Sequence, residues 1–309
     1  MNPRIERILI QRSNRIMMRT PLVYKIGGYL CNPRMNGWLW TGRFYGKTRF
    51  MAWIYLSPHF DDIALSCGGL VWEQAQRGEA PAIWTICAGD PPPGELSPFA
   101  QSLHARWEAS PQAAQERRLE DQAACRELGA DWRYFDLPDC IYRPGGESGV
   151  FYYASEESLF GEVHPGELPL MATLAEVLRQ ALPGDAQIVC PLTLGGHVDH
   201  RLTRRAAEQL GRAVWYYADY PYVMRSAQPV QEVLQGSWTS RVFPVSEAGL
   251  AAWQASIAAH QSQISTFWSS LEAMAAAMRE YWQAEGGVRL WQRAVEEAEA
   301  MAFLKSPFP

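Results

Sequence analysis

Two short segments of this 309-residue chain carry side chains that can bind a metal ion and move protons. The first, residues 57–62, reads SPHFDD, and the second, residues 195–200, reads GGHVDH. Together they contain three of the six histidines. Imidazole nitrogen and carboxylate oxygen are ligands of zinc, and a catalytic zinc typically has three protein ligands and a water. The two segments therefore hold enough donors for one metal site, with groups to spare.

The spacing of the residues indicates how these groups divide. His59 and Asp62 are three apart across a turn that enters a helix, so both can point to one spot. His200 can complete a set of three metal ligands from the second segment. A metal lowers the pKa of the water that it binds to about 7. Asp61 is left over beside the metal, where it can accept the proton of that water as general base.

Two further residues of the second segment remain. His197 can stabilise an oxyanion as imidazolium or protonate a leaving amine, and Asp199 can orient either histidine. A plainer interpretation is that each segment only caps the helix that follows it, since Asp is common at helix starts. Two such segments in one chain, each after an apolar strand, are harder to explain by capping. We therefore favour the metal site.

Strands and helices that alternate from residue 51 onward must position the two segments. Strand-like runs are Met51–Leu56, Ala82–Cys87, Trp132–Leu137, Gln187–Leu192 and Val214–Tyr217. Helical patterns are Ile63–Gln76, Pro111–Leu128, Met171–Leu182, Asp199–Leu210, Ala251–Ala259 and Gln261–Trp282. This alternation predicts an α/β fold, a mostly parallel sheet with helices on both faces. Ligands bind such sheets at the carboxyl ends of strands, which both segments follow.

Two long stretches lack a regular pattern. Residues 88–110 contain four prolines, and residues 138–166 form the second stretch. We expect both to be irregular loops, and long ordered loops often cover a functional site.

The charge distribution divides the chain near residue 50. Residues 1–50 carry ten Lys or Arg and one acid, whereas the remainder holds 18 basic and 32 acidic residues. We predict a basic N-terminal extension, 1–50, and a single domain, 51–309, that ends in helices. The extension is expected to be solvated or docked on the body, with peripheral membrane contact as the alternative. An acidic body argues against nucleic acid as a partner, and the sequence leaves a homo-oligomer open.

The cysteines and the apolar windows predict where the protein resides. Six cysteines are scattered without C-x-x-C spacing, which is typical of reduced, buried thiols. No stretch resembles an export signal or a bilayer-spanning segment. We therefore expect a cytoplasmic protein.

The order and spelling of the two segments resemble the LmbE/PIG-L family of zinc-dependent N-deacetylases. That family has His-x-Asp-Asp after its first strand and His-x-x-His after a later one, and the resemblance covers roughly Met51 to Gln263. Between them, residues 117–120 (RRLE) resemble the family's R-x-x-E, and residues 137–139 (LPD) its L-P-D. The segment YADYPY, 217–222, also fits. The spelling SPHFDD resembles the antibiotic-tailoring deacetylases of the family.

The resemblance implies a Rossmann-like fold and removal of an N-acetyl group from an N-acetylglucosamine-type glycoside or glycoconjugate. It implies Zn²⁺ as cofactor, with Fe²⁺ or another divalent metal as alternatives. His59, Asp62 and His200 would be the metal ligands, Asp61 the base and His197 the oxyanion-stabilising or acid residue. Predicted substrate contacts are Arg117, Asp139, Asp90 and Arg143, with the aromatic residues Trp107 and Tyr142 as further candidates.

Two other functions stay open at this point. The chain could be a non-catalytic sugar- or ligand-binding member of the same fold, although all metal-site residues are present. A nucleotide or phosphate binder is the other alternative, but the glycine fingerprints G-x-G-x-x-G and G-x-x-x-x-G-K are absent from the first strand–helix turn.

Overall fold

The computed structural model of the chain describes residues 24–26, 29–31, 52–106, 113–145, 150–225 and 230–294. Most of the predicted basic extension, together with Trp107, lies outside these residues. Within the extension only an antiparallel pair is described, formed by β1 (Tyr24–Ile26) and β2 (Tyr29–Cys31). The extension as a separate unit, its membrane contact and the boundary at residue 50 stay predictions.

Seven strands form one sheet in the order β5-β4-β3-β6-β7-β9-β8. Their bounds are β3 Trp53–Ser57, β4 Ala82–Thr85, β5 Asp131–Tyr134, β6 Gln187–Pro191, β7 Val214–Tyr217, β8 Trp238–Pro244 and β9 Gly287–Arg293. The first five strands in this order are parallel, whereas β9 and β8 are antiparallel to their neighbours. The predicted mostly parallel sheet is therefore confirmed, with two further strands that the residue pattern does not predict.

Helices account for most of the other described residues. They are α1 Asp62–Gln76, α2 Pro98–Arg106, α3 Ala113–Leu128, α4 Glu156–Leu159, α5 Leu168–Ala181, α6 Val198–Glu208, α7 Tyr222–Arg225, α8 Val230–Val233, α9 Glu247–Ala259, α10 Gln261–Phe267 and α11 Leu271–Glu285. Short 3₁₀ turns span Cys140–Tyr142 and Pro165–Glu167. Two expectations were wrong: the loop predicted at 88–110 contains α2, and the helix predicted over 261–282 is broken before Ser270, which caps α11.

Each face of the sheet is covered by its own set of helices. Ile54 and Leu56 of β3 pack into one apolar cluster with α5 and α6. Tyr55, between them, packs into a second cluster with α1, α3, α9 and α11. Because both faces are buried, the central strands are apolar throughout rather than alternating. None of the helices described is long and apolar enough to cross a bilayer, and the five cysteines whose side chains are described are buried and free of disulfides.

The register of the central strands brings the two motifs together. Strands β3 and β6 are parallel neighbours, with Tyr55 opposite Val189. Their carboxyl ends therefore meet at the same edge of the sheet, and each end leads through a short loop into a helix, α1 or α6. In the second loop Gly195 has φ +84°, and a Cβ there would lie 2.6 Å from the ring of Tyr222. Only glycine fits this position, which turns the chain toward the site.

Candidate functional site

The side chains of the first motif are not used to cap their own helix. Asp61 occupies the N-cap position of α1 but makes no side-chain capping hydrogen bond. It is 6% exposed, and Nη2 of Arg117 lies 3.3 Å from its Oδ1. Asp62 Oδ2 accepts a 2.7 Å hydrogen bond from the backbone N–H of His59. The Asp61 carboxylate is therefore available for chemistry.

The second motif divides its two histidines between the helix and the site. His197 is the N-cap of α6, and its Nδ1 accepts a 3.2 Å hydrogen bond from the backbone N–H of Asp199. His200 is buried, with Nδ1 2.6 Å from Oδ1 of Asp219 and Nε2 3.3 Å from Oδ1 of Asp62. One histidine thus supports local structure while the other faces the first motif.

These hydrogen bonds indicate which ring nitrogen carries the lone pair when each histidine is neutral, the form that binds a metal. A neutral imidazole has one donor and one acceptor nitrogen. Donation from Nδ1 to Asp219 leaves the lone pair of His200 on Nε2, facing Asp62. His59 Nε2 lies 3.1 Å from Oδ2 of Asp199, so its Nδ1, 3.5 Å from Oδ2 of Asp62, holds the lone pair. In His197 the acceptor is Nδ1, which leaves Nε2–H as a donor.

The donor set fits a divalent metal ion. One nitrogen from each of His59, His197 and His200 lies within 4.8 Å of the others, and the carboxylate of Asp62 lies between the rings of His59 and His200. Imidazole and carboxylate donors suit Zn²⁺ and also Fe²⁺. The three histidines are therefore one candidate set of ligands. His59 and His200 with Asp62 are a second candidate set, in which the two rings lie next to different oxygens of the Asp62 carboxylate, Nδ1 of His59 3.5 Å from Oδ2 and Nε2 of His200 3.3 Å from Oδ1. The tautomer of His197 favours the second set, because its free nitrogen carries a proton.

Acidic neighbours make the site attractive to a cation. Burial acts to lower the pKa of His59, but hydrogen bonds with Asp199 and Asp62 raise it well above its ordinary value. Against the same effect of burial, the charge of Asp62 helps raise the pKa of His200 to about 10. Burial and the charge of His59 lower the pKa of His197 to about 3, so this ring stays neutral. The acidic neighbours thus favour positive charge at the rings of His59 and His200, the two rings that face Asp62.

Arg143 is a buried structural residue rather than a substrate contact, which corrects the prediction for it. Its side chain is 2% exposed, and its guanidinium pairs with Glu167 at 2.5 Å and with Oδ1 of Asp199 at 2.6 Å. Burial acts to raise the pKa of Asp199, but the charge of Arg143 keeps it well below its usual value. Asp199 Oδ2 also accepts from the backbone N–H of Cys140 at 3.0 Å. These contacts hold Asp199 against His59, the position from which a carboxylate could orient that ring.

A pocket with about 700 Å³ of space, open solvent included, lies beside the first motif, and Phe60 of that motif is part of its lining. Arg117 and Asp139, two of the predicted substrate contacts, are among its lining residues, and so is Tyr142. Asp139 Oδ2 also lies 3.5 Å from His59 Nε2. Asp90 is instead an exposed residue whose carboxylate pairs with Arg118 at 3.0 Å. The structure thus brings some of the predicted contacts to the pocket and leaves Asp90 outside its lining.

Two residues at the site have no role in the sequence-based prediction. Asp219 holds His200 and also accepts a 2.9 Å hydrogen bond from the backbone N–H of Leu194. It follows β7 by two residues, so the rule that places ligands at strand ends could have identified it. His260, between α9 and α10, lies beside Asp61 in a second, smaller cavity. No local signal marks it, because it is distant in sequence from both motifs.

Comparison with known proteins gives one family match and several relatives. A family model described as PIG-L: GlcNAc-PI de-N-acetylase matches residues 54–210, about half of the chain. A 2'-N-acetylparomamine deacetylase of Niallia circulans is 32% identical over 204 residues, which cover 60% of this chain and 72% of that protein. A 2'-N-acetylparomamine deacetylase of Streptomyces fradiae is 28% identical over 191 residues, covering 59% of this chain and 62% of that protein.

Solved structures show the same fold at lower sequence identity. The zinc-inhibited form of teicoplanin deacetylase Orf2 has a TM-score of 0.63 and 24% identity, covering 78% of this chain and 97% of its own. The A40926 pseudoaglycone deacetylase Dbv21 has a TM-score of 0.60 and 24% identity, covering 81% and 100%. Motif order, fold and family match agree: the chain belongs to the PIG-L family, whose model is described as GlcNAc-PI de-N-acetylase.

Proposed function

We propose that this chain is a metal-dependent hydrolase that removes an N-acetyl group from an N-acetylated amino sugar, as a free glycoside or glycoconjugate. The observation that carries the proposal is that the Asp62 carboxylate lies within 3.5 Å of both His59 and His200, next to an Asp61 side chain that does not cap its own helix. Family membership supports the reaction, and the two relatives named 2'-N-acetylparomamine deacetylases support a sugar substrate with an acetylated amine.

His59, Asp62 and His200 would hold the metal, with Nδ1 and Nε2 as the ligand atoms of the two histidines. Zn²⁺ is the metal that this donor set suits best, with Fe²⁺ or another divalent ion as alternatives. A bound divalent metal supplies an acidified water and polarises the amide carbonyl. Asp199 and Asp219 would fix the two rings, because each accepts a hydrogen bond from the ring nitrogen that faces away from the metal.

The remaining groups would move the protons. Asp61 takes a proton from the attacking water as its oxygen bonds to the amide carbon. His197 donates a hydrogen bond from Nε2–H to the carbonyl oxygen as negative charge develops there. As the C–N bond breaks, Asp61 returns the proton to the amine nitrogen. The products are acetate and the free amino sugar. An imidazolium at His197 is disfavoured, since protonation of Nδ1 would break its cap of α6.

The open pocket would receive the rest of the substrate. Arg117 and Asp139 line it close to the motifs, so we retain both as substrate contacts. Arg117 would also hold the Asp61 carboxylate in place, because its Nη2 lies 3.3 Å away. Tyr142, whose hydroxyl lies 2.5 Å from His104 Nε2, presents an aromatic ring to the same pocket, and aromatic faces can stack on sugars.

The test is release of acetate from a panel of N-acetylglucosaminides and N-acetylated aminoglycosides by metal-loaded protein. We expect the Asp61→Asn variant to lose roughly 10²- to 10⁴-fold in kcat, because a positioned base contributes that much. Its metal content should stay at about one ion per chain, the expected single site. Asp131→Asn, an exposed carboxylate at the start of β5, is the matched control and should keep full activity.

Two outcomes would contradict the proposal at different levels. Full activity in Asp61→Asn would reject this residue as the base. Metal binding by the wild-type protein without turnover of any acetylated sugar would favour the non-catalytic, ligand-binding alternative.

A further inference from the structure

His260 is a buried polar residue that the proposed mechanism does not use. It ends α9 and precedes α10, and its backbone is held by hydrogen bonds to Ile257 and from Gln263. The residue is 2% exposed, and neither of its ring nitrogens has a hydrogen-bond partner among the residues that the structure describes. Burying a donor and an acceptor without partners is costly, so such atoms usually face a water or a ligand.

The ring lies at a small cavity that reaches the first motif. The cavity leaves about 10 Å³ of space that the centre of a water molecule can reach, and Asp61 forms another of its walls. Gln263 is the other polar residue in its lining; the rest are the apolar residues Leu65, Ile257, Ile264, Phe267 and Trp268. By the same measure, one buried water needs roughly 10–15 Å³ and two to four polar partners. The cavity therefore has room for about one water, with His260, Asp61 and Gln263 as the polar residues in its lining.

The charge state of His260 fits a hydrogen-bonding role. Burial lowers its pKa to about 4, so the ring is neutral near pH 7 and offers one donor and one acceptor. Asp61 lines the same cavity as His260, and Nη2 of Arg117 lies 3.3 Å from Oδ1 of Asp61. Nε of Arg117 is itself buried and has no partner among the described residues. Unpaired polar atoms of two side chains therefore lie around one carboxylate.

We propose that this cavity is a water site, in which His260 holds an ordered water against the Asp61 carboxylate and so positions it. Asp61 lacks the capping hydrogen bond that would fix it to α1, and Arg117 contacts its Oδ1 at 3.3 Å. A water held by a neutral imidazole restricts rotation of the carboxylate toward the metal site. The water site follows from the cavity alone, whereas the positioning of a base rests on the proposed function.

A high-resolution crystal structure of the full chain tests the water site directly. We expect density for a water about 3 Å from a ring nitrogen of His260 and about 3 Å from a carboxylate oxygen of Asp61. A dry cavity, or a protein side chain that pairs with the ring, would overturn the proposal.

The Tm of the His260→Leu variant is a second test of the water site, and it does not depend on enzymatic activity. If the ring nitrogens are hydrogen-bonded to water, leucine removes those bonds and lowers Tm by several degrees. A rise in Tm would mean that the ring nitrogens are unpaired, because leucine removes the free-energy cost of burying them without partners. The water site would then be rejected. Inactivity of the wild-type protein would count against the proposed function but would leave this measurement and the density intact as tests.

Kinetics separate a positioning residue from a structural one. We expect His260→Leu to lose roughly 10-fold in kcat, with KM and metal content unchanged, as for other supporting residues. His260→Gln should stay within about threefold of wild type, because its amide can still hold the water. Equal losses in the two variants would overturn the positioning role. Gln254→Leu, which removes a hydrogen bond between α9 and α11, is the control and should lower Tm without changing kcat.

Discussion

The two motifs occupy equivalent places at the ends of neighbouring strands, yet they use their polar groups differently. In the first motif, Asp61 stands at a helix start without capping it, and its carboxylate faces Arg117 and the site. In the second, His197 gives one nitrogen to its own helix and keeps the other for the site. The difference shows that position at a helix start does not decide the role of a residue. The hydrogen bonds it makes there decide it.

The same contrast extends to the partners of the two proposed histidine ligands. His59 of the first motif is held by Asp199, which belongs to the second motif. His200 of the second motif is held by Asp219, which belongs to neither. Each ligand is thus fixed by a carboxylate from a different strand end. The site depends on three strand ends at once rather than on either motif alone.

Among the substitutions that test the different roles of the two motifs, the largest effect is expected at His197. His197→Ala should lose roughly 10²- to 10³-fold in kcat, the typical loss for one oxyanion-stabilising donor. Metal content should not change, because the free nitrogen of His197 is a donor. Metal analysis by mass spectrometry and steady-state kinetics measure both quantities.

A second substitution at the same position separates the two roles of His197. His197→Asn keeps a side chain that can cap α6, so Tm should return toward the wild-type value while kcat stays low. Loss of metal in either variant would instead show that the three histidines form the ligand set and that Asp62 does not.

A smaller effect is expected at Asp219, which supports the second motif from outside it. Asp219→Asn should weaken metal binding by roughly 10- to 100-fold, as is typical for carboxylates that orient a ligating histidine. Competition with a chelator measures the Kd. Asp199→Asn is the matched change for His59 of the first motif. A similar loss of metal affinity in that variant would show that the two carboxylates support their histidines equally. An unchanged Kd in Asp219→Asn would show that the strand-end carboxylate is dispensable.

The last prediction concerns folding beside the first motif. Asp121 on α3 is buried, accepts a 2.7 Å hydrogen bond from Tyr134 and has a pKa raised to about 7 by burial and by the charge of Asp61. An acid whose pKa is raised in the folded state binds its proton more tightly there, so stability falls as pH rises from about 4 to about 7. Asp121→Asn should therefore be more stable than wild type at pH 8 by roughly 2–4 kcal/mol.

Denaturant unfolding at pH 4 and pH 8 checks this sign. The two proteins should have similar free energies of unfolding at pH 4, since Asp121 is protonated in the folded wild type there. A difference that is the same at both pH values would show that Asp121 is not the titrating group.

The parallel half of the fold is predictable from sequence, because its strands are apolar runs between clear helical patterns. The predicted bounds of β7 match the structure, and the helix predicted over 63–76 begins only one residue late. β8 and β9 are different. β8 is a largely exposed edge strand whose apolar residues Trp238, Val242 and Phe243 neither alternate nor form a continuous run, and β9 follows a helix directly after Gly286. Their pairing with each other and with β7 is tertiary, so no local pattern reveals it.

Much of the candidate site is predictable for a similar reason: its main donors lie in two compact motifs. Arg143 shows the limit. A charged residue in a loop is normally exposed, but this one is buried because Glu167 and Asp199, 24 and 56 positions away, neutralise it. His260 shows the same limit, since its position beside Asp61 follows from how α9 and α10 pack. Contacts between distant segments leave no periodic signature in the sequence.

The separation of the two motifs along the chain also bears on the order of assembly. His59 and Asp199 are 140 positions apart, and the two motifs come together through the pairing of β3 with β6. Contacts of such long range form slowly, because their loop-closure entropy is unfavourable. The complete set of metal ligands therefore requires that β3 and β6 have paired. A metal ion that binds only this assembled site would stabilise the folded protein by mass action.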